Sequence, residues 1–261
     1  LLYKDVANVS AKINTYRKGY NPEAIRKEMK TQMEELFEPK MKDLYQQLYV
    51  LPALDEIEVE KDKITLVIFQ PYAQGGLQPE MQEWYDNLRY KNRVFFLTGD
   101  QQSIDSVFEN AKSIRAAEDV KSEFDSEKVP TNDPQYQEIE ELIQTYRFRF
   151  YSATTNVFTK LIFPTRRGLA DTNINLQFEK NKLEGEEQIR QTLIEKRKFT
   201  TETEKDAFLL QLEQKLFDGQ KERPWGEVVE AAATNTGWVW HKPNALSQTK
   251  REQVAKDHWR E

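Results

Sequence analysis

The chain has 261 residues, of which 38 are basic and 44 acidic, and its net charge of −6 excludes a protein whose whole surface attracts nucleic acid while leaving room for a local basic face. With 38% apolar, 31% charged and 11% aromatic residues, it is too rich in Phe, Tyr and Trp to be disordered and reads as folded, with heavily charged helices. Cysteine is absent, which excludes a disulfide framework, a thiolate nucleophile and Cys-ligated zinc and points to a cytoplasmic protein.

No apolar run reaches the roughly 18 residues of a membrane span, so no membrane partner is expected. The start, LLYKDVANVS, and the end, KDHWRE, carry neither a signal peptide nor a helix cap, and a larger parent protein is expected. Residues 1–20 read as a helix stopped by Gly19. A second helix starts at Asn21-Pro22, with Ile25, Met29, Met33, Leu36 and Phe37 at core-facing spacing, and Met41, Leu44, Leu48 and Tyr49 continue the stripe after Pro39. Ile64 to Phe69 and Val94 to Leu97 are continuous apolar runs that suit strands covered on both faces. The helical stretch between them, with Met81, Trp84, Tyr85 and Leu88 on one side, makes a parallel βαβ unit. The next helix has Ser103 as its N-cap and turns Ile104, Val107, Phe108, Ala111 and Ile114 inward.

Residues 121–136 hold two prolines, have no periodicity, and mark the expected domain boundary. Beyond it, a helix gives way to alternation, with Arg147 and Arg149 opposing Phe148 and Phe150, and a further alternating strand runs through Ile174, Leu176 and Phe178. Helices follow over GEEQIRQTLIEKRKF and EKDAFLLQLEQKLF, and the end reads as helix, tight turn, aromatic strand and final helix. The expected fold class is therefore α/β, a small parallel sheet with flanking helices (domain 1–125), followed by an α+β region (130–261) ending in a winged-helix or helix-turn-helix-like module.

A phosphate-binding loop needs glycines for close backbone approach and a lysine for charge, and the sequence contains no GxxxxGK followed by Ser or Thr. Gly75-Gly76 leads into LQPE without a lysine, and Gly99-Asp100 offers a single glycine before a helix, so the strand-turn-helix at 90–115 reads as scaffold. The two histidines, His241 and His258, form no HExxH, His241 reads as a packed or capping residue, and neither a metal site nor a catalytic residue is expected. Trp225, Trp238, Trp240 and Trp259 read as the core or docking surface of a small terminal module.

From Leu142 to Ala170 there is no Asp or Glu, while Arg147, Arg149, Lys160, Arg166 and Arg167 are interleaved there with Tyr146, Phe148, Phe150, Tyr151 and Phe158. Two readings stand. Basic plus aromatic side chains neutralise a phosphate backbone and stack on bases. Alternatively, the aromatics build a sheet core and the arginines pair with acidic helices.

Three segments, ANVSAKINTYRKGYNPEAIRKEM, KDKITLVIFQPYA with RYKNRVFFLTGDQQSIDSVFENAKSIRAAEDV, and TGWVWHKPNALSQTKREQVAKDHWRE, resemble in order the portion downstream of the P-loop core in large AAA+ ATPases of phage-defence islands. That domain-of-unknown-function class is similar to the P-loop component of BREX-type systems. The strand Arg93 to Leu97, preceded by Asn92 and followed by its amphipathic helix, carries the likeness best. The resemblance implies an accessory region of a DNA-directed defence ATPase. Its partners would be DNA, the rest of the parent ATPase and other defence-system subunits. The Walker motifs would lie upstream, so no ATP-contacting residue and no cofactor are assigned here. The alternatives are an interaction scaffold with no nucleic-acid role and a degenerate nucleotide-binding domain.

Overall fold

The computed structural model describes residues 9–100, 104–179, 182–201, 210–217, 219–220 and 223–242. In chain order its elements are helices α1 (Val9–Gly19) and α2 (Pro22–Phe37), strands β1 (Gln47–Val50) and β2 (Thr65–Ile68), helix α3 (Pro79–Asn87), strand β3 (Val94–Thr98), helices α4 (Asp105–Ser126) and α5 (Pro134–Val157), strands β4 (Lys160–Thr165) and β5 (Gly168–Asn173), and helices α6 (Gly185–Glu195), α7 (helical residues 210–217) and α8 (Trp225–Thr234). The chain divides into two compact units. One is helical and comprises Leu1–Leu36, Gln101–Val157 and Gln177–Leu183; the other holds the sheet and comprises Phe37–Asp100, Phe158–Leu176 and Glu184–Glu261.

The fold class is α/β. Five strands run in the order β1-β2-β3-β4-β5, parallel from β1 to β3 and antiparallel from β3 to β5. The expected strands at 64–69 and 94–97 are β2 and β3, in parallel register with Val67 opposite Phe96, and α3 is their crossover. Every residue of both strands is buried, which is why they read as continuous apolar runs rather than alternating ones. The pleat sends Val67, Phe96 and Ile162 to one face, where Met81 and Tyr85 of α3 cover them. Phe95 belongs to the other face, between Tyr45 at 5.9 Å and Trp240 at 5.4 Å.

β1 corrects the reading of residues 41–49 as a helical stripe. Leu44 and Tyr45 are buried, Met41 is exposed, and Gln47–Val50 pairs with β2 along the sheet edge. The loop ahead of β1 is held by a carboxylate. Glu186, in the first turn of α6 and only 4% exposed, accepts the backbone N–H groups of Met41 and Asp43 at 3.0 Å each and of Leu44 at 3.3 Å. Lys42, at φ 53°, bends the chain so that these amides converge. We expect Glu186→Ala to destabilise the protein by about 1–3 kcal/mol, since three backbone donors, one of them buried, lose a charged acceptor. A urea melt checks this, and a loss below about 0.5 kcal/mol would show the loop to be held by other contacts.

In the helical unit, α1, α4 and α5 enclose a core of Val9, Ile13, Ala117, Val120, Phe124, Ile139 and Ile143. Lys12 pairs with Glu123 at 2.9 Å, and the Tyr20 hydroxyl donates to Asp119 at 2.5 Å. The expected inward residues Val107, Ala111 and Ile114 are buried in α4, as are Ile25, Met29, Met33 and Leu36 in α2. The N-cap proposed at Ser103 lies outside the described residues.

Residues 121–136, read as a domain boundary, are the end of α4, a tight turn and the start of α5. Lys128 takes a left-handed conformation at φ 58°, and the Val129 N–H returns to the Phe124 carbonyl at 3.0 Å, so the chain reverses into a helical hairpin. The sheet spans that point, because β3 and β4 pair with Phe96 opposite Ile162. The two expected regions, 1–125 and 130–261, therefore differ from the compact units.

A second correction concerns residues Arg147 to Phe150, read as alternating. They continue α5, with Ile139, Ile143, Phe150, Thr154 and Val157 buried at helical spacing and Phe148 left 64% exposed. The alternation expected through Ile174, Leu176 and Phe178 buries all three side chains, but the paired strand there is β5, which ends at Asn173. Of the terminal module, α8 and a parallel bridge between Phe199 and Trp240 are described; the final helix with His258 and Trp259 lies outside the described residues.

Candidate functional site

The five basic residues singled out in the sequence fall in both units. Arg147 and Arg149 are on α5 of the helical unit. Arg147 pairs with Glu118 of α4 at 3.0 Å, and Arg149 lies over the Tyr146 ring at 5.9 Å. In the sheet unit, Lys160 opens β4 and stands 3.5 Å from Asp100. The stretch from Leu142 to Ala170 lacks acids of its own, yet other segments supply one to Arg147 and one to Lys160.

Arg166 and Arg167 differ. They form the two-residue turn joining β4 to β5, where the Thr165 hydroxyl donates to the Gly168 carbonyl at 2.8 Å and accepts the Arg167 N–H at 3.2 Å. Gly168, at φ 107°, closes the turn in a conformation that suits glycine. Among the described residues neither arginine has an ion-pair partner. The Arg166 side chain lies along the backbone of Gly237, where an added Cβ would come within 2.5 Å of Arg166 Cγ.

Beside Arg166 stands Lys215 of α7, whose Nζ donates to the Gly237 carbonyl at 3.3 Å. Burial, with Arg166 nearby, pushes the Lys215 amine below its usual range. Deeper lies Lys198, 5% exposed, a residue that sequence reasoning passed over. Its burial follows from the end of α6. Arg197 is left-handed at φ 57°, and the Lys198 N–H returns to the Leu193 carbonyl at 2.8 Å, which turns the side chain inward.

The Lys198 ammonium donates to Asn92 Oδ1 at 2.6 Å, to the Thr236 carbonyl at 3.1 Å and to the Trp238 carbonyl at 3.2 Å, and lies 4.6 Å from the centre of the Trp240 ring. Burial first, then Arg93 and Lys215, push its amine down to about 7, while the three oxygens and the indole face favour the charged form. Asn92 completes the knot. Its Nδ2 donates to the Ala232 carbonyl at 2.9 Å, and its backbone carbonyl accepts Trp240 Nε1 at 2.7 Å. Trp238 and Trp240 are thus core residues of the sheet unit, and the His241 ring packs on Trp238 at 5.1 Å between centres.

The sheet unit therefore carries a graded series of cations, from Arg167 and Arg166 at the surface through Lys215 to buried Lys198. At the carboxyl ends of β2 and β3, where open α/β sheets bind nucleotides, the space among Phe69, Gly76, Met81 and Thr98 is about 10 Å³, the room of one water. Residues 101–103 lie outside the described residues. None of the described helices is long and apolar enough to cross a membrane. No family model, curated protein or solved structure matches the chain.

Proposed function

We propose that the chain is a non-catalytic binding and assembly segment of a larger ATPase that acts on DNA in phage defence, and that the β4–β5 turn is its contact with the phosphate backbone. The observation that carries this reading is the cluster of Arg166, Arg167 and Lys215, which has no ion-pair partner among the described residues of a net acidic chain. Like charges held together on one surface lose stability in the free protein and recover it when an anion arrives. Arg147 and Lys160, each beside a carboxylate, are less suited to the role, and Arg149 of the helical unit is left as a secondary contact. The resemblance to defence-island ATPases supplies the setting, and the remainder of such an ATPase and its companion subunits are the protein partners.

Fluorescence anisotropy with random-sequence duplex DNA tests the turn. Replacing Arg166 and Arg167 together by alanine is expected to weaken binding at least about tenfold and to lower the salt slope by about 2, since each phosphate contact contributes roughly 0.9. Gly237→Ala leaves every charge in place but displaces the Arg166 stem, and is expected to weaken binding about threefold with an unchanged melting temperature. Unchanged DNA affinity in the double variant overturns the reading and favours a scaffold without a nucleic-acid role.

A further inference from the structure

Arg93 poses a separate question from the hairpin turn. It ends the short helical turn Lys91–Arg93 ahead of β3 and is only 6% exposed. A guanidinium has five N–H donors in a planar fork. Arg93 Nε donates to the Lys61 carbonyl at 2.8 Å, and neither terminal amino group has a hydrogen-bond partner among the described residues. Burial pushes the group down to about 10, with Asp62 acting in the opposite direction from beyond ion-pair distance. Both terminal amino groups remain within reach of solvent, so an acceptor that enters beside them can complete the fork.

Arg93 lines a cleft of about 90 Å³ together with Gln46, Ile64, Val229, Trp238 and His241. Gln46, Ile64 and Arg93 each stand one residue before a strand, β1, β2 and β3 in turn, so the cleft opens at the amino ends of the parallel strands. The other polar groups there are engaged or neutral. The Gln46 amide donates to the Lys42 carbonyl and accepts the Ile64 N–H, both at 2.9 Å, and Lys242 at the edge is paired with Asp43 at 2.9 Å. Burial holds His241 neutral, at about 4. Ile64, Val229 and Trp238 supply apolar wall, and exposed Asp62 at the edge disfavours ligands of multiple negative charge.

We propose that this cleft binds a small monocarboxylate, its two oxygens accepting parallel N–H bonds from the terminal amino groups of Arg93 and its short hydrocarbon tail lying against Ile64, Val229 and Trp238. A planar carboxylate matches the fork, whereas a triphosphate exceeds both the volume and the tolerated charge. The carboxylate belongs either to a free acid or to the end of a peptide.

The test is an NMR titration of the intact chain, following the Trp238 indole and Arg93 Nε–H signals with butyrate, butyramide, inorganic phosphate, chloride, and a short peptide with its terminus free or amidated. Saturable shifts are expected with butyrate at millimolar concentration, at least tenfold weaker with the uncharged butyramide and with phosphate, and none with chloride at equal ionic strength. Tighter binding of the free-ended peptide than of butyrate, lost on amidation, assigns the carboxylate to a chain end; the reverse order assigns it to a free acid. Arg93→Gln should abolish the shifts, and because that variant also touches Lys61, Val229→Phe, which fills the cleft while keeping Arg93, should do the same. No saturable shift in the wild type, equal binding of butyramide, tighter binding of phosphate, or shifts that survive Val229→Phe would each overturn the proposal. Arg166→Ala with Arg167→Ala should leave the titration unchanged, which separates this site from the DNA-binding reading.

Discussion

Phe96→Asp is expected to abolish the cooperative folding of the sheet unit. Phe96 is fully buried in the middle of β3, ringed by Phe69 at 6.3 Å, Tyr85 at 6.0 Å and Trp84 at 6.5 Å, and it pairs with Val67 on one side and Ile162 on the other. Removing a phenyl ring from such a place costs about 3–5 kcal/mol through lost transfer energy and the cavity left behind. Aspartate adds a carboxyl with no partner, whose burial costs several kcal/mol more whether it ionises or takes a proton. The sum reaches the roughly 5–15 kcal/mol by which a whole domain is stable. Circular dichroism with amide hydrogen exchange of β2, β3 and β4 provides the readout, and Phe96→Leu, which keeps most of the apolar volume, should lose no more than about 1.5 kcal/mol. An unshifted melt for Phe96→Asp would mean that this face of the sheet is not a closed core.

The second large effect is a pH dependence centred on Lys198. Its amine is depressed to about 7 in the folded chain against 10.5 when unfolded, so between these values the unfolded state binds the extra proton. Stability then rises with pH across this window, with a limiting slope of about 1.4 kcal/mol per pH unit, and the gain is lost as pH falls back toward 7. Three oxygens and the Trp240 ring favour the ammonium and moderate the slope, so about 2 kcal/mol is expected between pH 7 and 9. Tyr45 and Tyr85, whose hydroxyls burial pushes above their usual 10, oppose this only at higher pH. Urea melts at pH 7, 8 and 9 should show a rising midpoint in the wild type and a shallower rise in Lys198→Met, where only the depressed Lys215 amine remains. That variant should also be less stable at pH 9, because Asn92 Oδ1 and two carbonyls lose their donor. A wild-type midpoint that stays level from pH 7 to 9 would assign the knot a permanently charged lysine.

The two parallel strands at the centre of the sheet unit, β2 and β3, are legible in the sequence for a physical reason. A strand buried on both faces is mostly apolar, so TLVI and VFFLT, each with one threonine at an end, announce themselves. β1 does not, because QLYV is a half-buried edge strand whose residues equally satisfy a helical stripe. In α5, YRFRFYS alternates aromatic and polar residues by coincidence. The longer interval linking Ile139, Ile143, Phe150 and Val157 was the deciding signal, and a window confined to 147–151 cannot contain it. The turn at Arg166 and Arg167 could be read from its flanking proline and glycine. Lys198 could not, since EKRKF has the look of a solvated helix end and only the left-handed residue before it turns the amine inward. Arg93 was read as part of a strand, and its idle donors depend on side chains distant in sequence.

The α4–α5 hairpin separates β3 from its antiparallel neighbour by 66 residues, from Phe96 to Ile162. During synthesis β3 therefore emerges long before β4, and its largely apolar edge stays open until the hairpin has been completed and the chain has returned. An edge of that composition is a template for adhesion between nascent chains. Fragments cut anywhere between 99 and 159 retain β3 while losing β4, and they should precipitate on expression.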